Sequence, residues 1–231
     1  YETACDYRDD LAKSGPLSAS HPAHSVLMMC VSMSDPGMIV LPTHRLFRGV
    51  PAMSSADLSS KLGDCFQTEL AGSGPESAGP LWNQIESSGE QESLGFFTAQ
   101  DNQWTLASLT ELGRARLAEL ASEHSAAWCS LGVSILHRLA MENLLGLHEL
   151  PKPMYVHSVE ELVHALEQGD AVGRDATGQI GQGGAFQLAA LVMPATVDHV
   201  RSISEHHERM PAKSTYFYPK LLSGLVFNPL E

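Results

Sequence analysis

Within VLMMCVSMSDPGMIVLP, residues 26–42, two predominantly apolar runs are joined at Asp35-Pro36-Gly37. The tripeptide is a turn signal, because proline presets φ and glycine is free to take a positive one. Each flanking run has the length of a strand. Because their hydrophobicity is continuous and does not alternate, they predict strands covered on both faces. No run approaches the roughly 18 residues that a membrane helix needs.

The rest of the chain supplies the helices. YETACDYRDDLA opens it with Ala4, Tyr7, Leu11 and Ala12 at helical spacing and no capping residue before them. Ser54 and Asp57 have capping-box spacing ahead of Leu58, Leu62 and Phe66 on one helical face. Residues 71–93 are rich in Gly, Ser and Glu and read as a flexible surface loop. A hairpin bending at Asp101-Asn102 follows, then helices over LTELGRARLAELASE and GVSILHRLAMENLLGL. The second carries Val133, Leu136, Leu139 or Ala140, Leu144 and Leu147 on one stripe. MYVHS reads as a short strand. The next helix has Ser158 and Glu161 as its capping box and Gly169 as its stop. Residues 173–184 form a second flexible loop. AFQLAALVMP reads as a buried strand and TVDHVRSISEHHERM as a helix with Val197, Val200 and Ile203 inward. KSTYFYPKL and SGLVFNPL end the chain as extended segments. The alternation predicts an α/β (or α+β) fold, a mixed sheet with flanking helices.

The chain has 231 residues, 43% of them hydrophobic, enough for a core. Its 27 acidic residues outweigh 14 basic ones, for a net charge of −13. Such a balance excludes a broad nucleic-acid or anionic-membrane surface but leaves room for one local cationic pocket. Cys5, Cys30, Cys65 and Cys129 are widely spaced, without a C-x-x-C pair. They read as reduced, mostly core-filling thiols of a cytoplasmic protein.

No P-loop, nucleophile elbow or H-E-x-x-H motif is present. GQIGQGG, residues 178–184, precedes a strand and lacks the G-x-G-x-x-G order, so it reads as a linker. His206 and His207 are adjacent and would diverge by about 100° on a helix. His21 and His24 lack acidic or thiolate company, and no metal site is expected. Two stretches hold more chemistry. LPTHRLF, residues 41–47, ends a buried strand with His44, a titratable base, and Arg45, an anion-binding fork. MPAKSTYFYPKL, residues 210–221, sets Lys213 beside Ser214 and Thr215, a point charge with hydroxyl donors suited to phosphate or carboxylate. As a strand it would put Lys213, Thr215 and Phe217 on one face, and Pro219 would make it an edge or terminating strand. The same alternation also suits a half-buried strand with no ligand at all.

YETACDYRDDL, VLMMCVSMSDPGMIVLPTHRLF, VSILHRLAMENLLG and VMPATVDHVRSISEHHERMPAKSTYFYPKLLSGLVFNPL together resemble the C-terminal two thirds of the domain-of-unknown-function family 1015. The resemblance implies that the chain is N-terminally truncated: in that family an Asp-Gly-His-His-Arg motif directly precedes the segment matching Tyr1–Ala4. A similar motif in ParB-like and free-serine-kinase proteins handles phosphates, which implies a small-molecule phosphotransfer or nucleotide-binding enzyme. His44 would then be the local catalytic candidate, with Arg45, Lys213, Ser214 and Thr215 binding phosphate. The implied ligand is a nucleotide or other small molecule, with magnesium if the chemistry is kinase-like. The alternative is a non-enzymatic regulatory or interaction protein that binds a nucleotide.

Overall fold

The computed structural model describes residues 1–168 and 185–220. The described chain forms two compact units, one holding Tyr1–Ile39 and the other Val40–Tyr218.

The first unit contains α1 (Glu2–Lys13), whose N-cap Tyr1 makes no side-chain capping bond, as the sequence predicts. A single 3-10 turn follows at Pro22–His24. The Asp35 turn is present: Gly37 N–H donates to Asp35 Oδ1 at 2.8 Å, and Met38 N–H reaches the Asp35 carbonyl at 3.2 Å. Its first arm is not a strand. Residues 26–32 have no regular structure, and Leu27, Met28 and Met29 are exposed, Met28 by 65%. Only the second arm forms one, β1 (Ile39–Leu41), of which Val40 and Leu41 belong to the second unit. β1 pairs outside the expected hairpin, with β8 (Tyr216–Tyr218), so the turn joins a strand to an unpaired arm. Apolar continuity measures what a strand could bury and leaves open whether it finds a ladder.

The second unit is a three-layer sandwich. Its sheet contains β2 (His44–Phe47), β3 (Phe66–Ser73), β4 (Ser93–Thr98), β5 (Gln103–Leu109), β6 (Met154–Val156) and β7 (Leu188–Leu191). They lie in the order β3-β5-β4-β7-β2-β6, and all their pairings are antiparallel. The class expectation of a sheet flanked by helices holds. Every residue of β2, β4 and β7 is buried. One face of the sheet, with Phe47, Phe96, Leu188 and Ala190, packs beneath α2 (Ser55–Leu62), α4 (Glu111–Leu120), α5 (Ala126–Cys129), α6 (Gly132–Ser134) and α8 (Val197–Glu205). The other, with Leu46, Phe97, Trp104 and Leu191, meets α3 (Ala78–Ser88) and α7 (Val159–Gln168). Both faces being apolar, the two-residue period is invisible in the sequence of the central strands.

Local signals place several helices. Ser54 and Asp57 form the expected capping box of α2, and Ser158 and Glu161 that of α7. α6 runs directly into a π-helical segment, Ile135–Leu144, which buries the predicted stripe residues Leu136, Leu139 and Ala140. Residues 71–93 are no loop. They carry the end of β3, a 3-10 turn, α3 and the start of β4. Leu81, Trp82 and Ile85 are buried at helical spacing, each contributing roughly 1.5–3 kcal/mol. That triad outweighs the Gly and Ser content around it, and Gly89, at φ 68°, stops the helix. Phe66, expected on the α2 face, begins β3 instead. The cysteines are free, but Cys30 is exposed, so it fills no core. Gly169, residues 173–184 and SGLVFNPL lie outside the described residues. Among the described residues no helix is long and apolar enough to cross a membrane.

Candidate functional site

The site rests on β2 and β6. Their antiparallel register sets Arg45 opposite Tyr155 and His44 opposite Val156. Side chains alternate across a sheet, so Arg45 and Tyr155 share one face while His44 and Val156 share the other. Continuing the ladder by one step brings Thr43 to His157, and their side chains do meet, Thr43 Oγ1 to His157 Nδ1 at 3.5 Å. The polypeptide from Pro211 to Tyr216 covers this face.

Arg45 is the buried post of the arrangement, 1% exposed. Its Nε donates to His137 Nε2 at 3.1 Å, its Nη1 to the Thr43 carbonyl and its Nη2 to the Lys213 carbonyl at 2.9 Å. The Tyr155 ring lies 5.9 Å from its guanidinium carbon. Among the described residues no carboxylate pairs with it. Desolvation pulls its pKa down to about 10, with Tyr155 acting weakly in the opposite sense. The guanidinium therefore remains a cation at neutral pH, held by neutral acceptors.

Lys213 lies above it. The residue is exposed and takes φ 58°, a left-handed conformation uncommon for lysine, which costs on the order of 1 kcal/mol. This bend belongs to the stretch in which the Lys213 carbonyl meets Arg45 while Nζ stands 5.6 Å from the centre of the Tyr155 ring. Two cations thus share one phenol ring. Ser214 is turned inward: its hydroxyl donates to the Pro211 carbonyl at 2.7 Å and pins the bend. Thr215 is half-buried beside it.

His44, expected in one pocket with Arg45 and Lys213, is on the opposite face. It is fully buried, with its ring edge-on to Trp82 of α3 at 4.6 Å. Desolvation, then the charges of Arg45 and His157, lower its pKa to about 3. Nδ1 accepts from the Val192 N–H at 3.3 Å, so the neutral ring carries its proton on Nε2, which has no hydrogen-bond partner among the described residues. His137 is likewise driven neutral, to about 4, by burial and then by the Arg45 charge. Strand alternation separates adjacent residues, and so the neighbours in His44-Arg45 do not act together.

A histidine that the linear sequence does not single out completes this face. His157 follows β6 directly, with Nδ1 3.0 Å from the Pro42 carbonyl and its ring stacked on Tyr216 at 3.6 Å. Only a carbonyl acceptor is available at 3.0 Å, so Nδ1 carries the proton. Its Nε2 makes no hydrogen bond among the described residues, and the residue is half-buried. The available signal was the two-residue spacing of Tyr155 and His157 on a short strand, legible only once β6 is paired with β2.

The face therefore brings together Thr43, Arg45, Tyr155, His157, Lys213 and Tyr216. Among the described residues no group of three or more His, Cys, Asp or Glu side chains is arranged to hold a metal ion. A cleft of about 430 Å³ lies elsewhere, lined by Glu92, Arg114, His124 and Cys129 among others, and it includes none of the five residues predicted for the site.

The family model described as "Protein of unknown function (DUF1015)" matches residues 1–134. The match takes in Thr43, His44 and Arg45, while β6, His157 and the Lys213 segment lie beyond it. No curated protein and no solved structure matches the chain.

Proposed function

The chain belongs to the DUF1015 family, and from the β2–β6 face we propose that it binds a small phosphorylated molecule or nucleotide there, in the service of kinase-like phosphotransfer. The observation that carries this reading is the pair of cations on Tyr155. Among the described residues Arg45 is buried without a carboxylate, and Lys213 stands exposed above the same ring in a backbone conformation that costs energy to hold. In a chain of net charge −13, such a concentration of positive charge, with no matching carboxylate among the described residues, suits an anion that arrives from solution.

The roles divide by exposure. Lys213 Nζ meets the anionic oxygens, with Thr215 as an adjacent hydroxyl donor. Arg45 and Ser214, whose hydrogen bonds are already given to the Thr43, Lys213 and Pro211 carbonyls, are positioning residues that hold the lysine in place. The buried guanidinium adds a favourable field through a region of low dielectric. His44, neutral and on the other face, takes no part.

The test is calorimetric titration of the protein with ATP, ADP and CTP, followed by single-turnover assays with labelled nucleotide and polyol or amino-acid acceptors. Lys213→Ala should weaken binding by about tenfold or more, the loss of one charge-assisted hydrogen bond, with an unchanged far-UV spectrum. Equal affinity in wild type and variant removes the reading. Binding without any product would favour the non-enzymatic alternative, a nucleotide-binding regulatory protein.

A further inference from the structure

We propose that His157 is the proton-accepting group of this site, its Nε2 taking the hydrogen of an incoming hydroxyl. The inference rests on the anion-site reading above and adds to it a group that handles the reacting proton.

Three observations carry it. The Nδ1–H of His157 is tied to the Pro42 carbonyl at 3.0 Å, which fixes both the tautomer and the plane of the ring. A histidine held in this way presents Nε2 as a bare lone pair, the arrangement by which a base is oriented in nucleophilic and acid–base sites. Tyr216 stacks on the ring at 3.6 Å and limits its rotation. Finally, His157 shares its sheet face with Tyr155, two residues away, above which Lys213 Nζ is placed. An anion on Lys213 and a hydroxyl at Nε2 would therefore occupy neighbouring positions on one surface. The two other histidines near β2 cannot serve: His44 Nε2 bears its proton and is sealed, and His137 Nε2 is occupied by Arg45.

The donor is a nucleoside triphosphate and the acceptor an alcohol. The acceptor oxygen forms a bond to the terminal phosphorus, and the bond from that phosphorus to the bridging oxygen breaks. The electron pair leaves with the nucleoside diphosphate, and the hydroxyl proton passes to Nε2.

Inorganic phosphate is a suitable probe because hydrogen phosphate offers both an anionic oxygen for Lys213 and an O–H for His157. Long-range ¹H–¹⁵N spectra of the histidine rings should show the Nδ1–H tautomer at His157 and a saturable displacement of its Nε2 signal as phosphate is added. The displacement should vanish in Lys213→Ala. His157→Asn, whose amide N–H can still donate to Pro42, should keep the fold and weaken phosphate by about fivefold, the loss of one neutral hydrogen bond. Phosphate that binds without moving Nε2, or binds His157→Asn as tightly as wild type, overturns the role of His157 and leaves the anion site standing. No phosphate or nucleotide binding by wild type overturns both.

Discussion

Replacing Arg45 by methionine tests whether the buried guanidinium supports the fold or burdens it. The substitution keeps an apolar stem of similar length and removes the charge and three donors. Losing them leaves His137 Nε2, the Thr43 carbonyl and the Lys213 carbonyl without their partner. Each orphaned acceptor costs about 1–3 kcal/mol where water cannot replace the donor. The Lys213 end is near solvent, so roughly 4 kcal/mol is a fair total for the three. Opposing this, burial holds the Arg45 pKa at about 10 against an ordinary 12.5. That corresponds to roughly 3 kcal/mol of strain relieved when the charge is removed. The expected net loss is therefore small, about 1–2 kcal/mol, read as a lower urea midpoint at an unchanged slope. The local effect should be larger than the global one. Amide exchange at Ser214–Tyr216 should accelerate strongly, while the β4–β5 hairpin keeps its protection. A variant as stable as wild type, with residues 214–216 still protected, would refute the view that Arg45 holds the Lys213 segment in place.

The unfolded chain protonates His44 and His137 near pH 6.5, whereas the folded chain resists until about 3 and about 4, so the unfolded state binds more protons throughout that interval and acid favours it. Stability should be full above pH 6.5 and fall by about 2 kcal/mol per histidine between pH 7 and pH 5, and His137→Gln should roughly halve the dependence measured in urea melts. A Cβ at Gly113 would lie 2.3 Å from the Cys65 carbonyl oxygen and 2.6 Å from Leu109 Cδ1, at the contact of α4 with the turn before β3. Gly113→Ala should lower stability by about 1–3 kcal/mol in the same assay, although alanine is the better helix former.

What the sequence disclosed was mostly local. Ser54 with Asp57 and Ser158 with Glu161 announced their helices because a capping box is closed by residues three apart. The Asp101-Asn102 bend was legible for the same reason, Asn102 taking φ 56° at the tip of the β4–β5 hairpin. What depended on distant partners was not legible. The arm at residues 26–32 has a strand's composition but no ladder. α3 was hidden because three apolar side chains among glycines and serines decide the matter only when α7 and the sheet are there to receive them. The site divides along the same line. Arg45 and Lys213 were found as cations in suggestive company and do converge, 168 residues apart. His44 was drawn in by adjacency in the chain, and His157 was missed for want of it.

The π-helical segment at Ile135–Leu144 has a consequence for how this protein can vary. His137, which meets Arg45, rides on a helix of wider winding than an α-helix, closed at its end by Leu145 N–H on the Ala140 carbonyl, five residues back. Such a winding spends more residues per turn than the α-form. Exchanging a side chain there alters one contact. Deleting one residue between Leu131 and His137 would turn the imidazole about 100° around the helix and off the guanidinium. In this stretch the molecule can absorb changes of letter far more readily than a change in the number of letters.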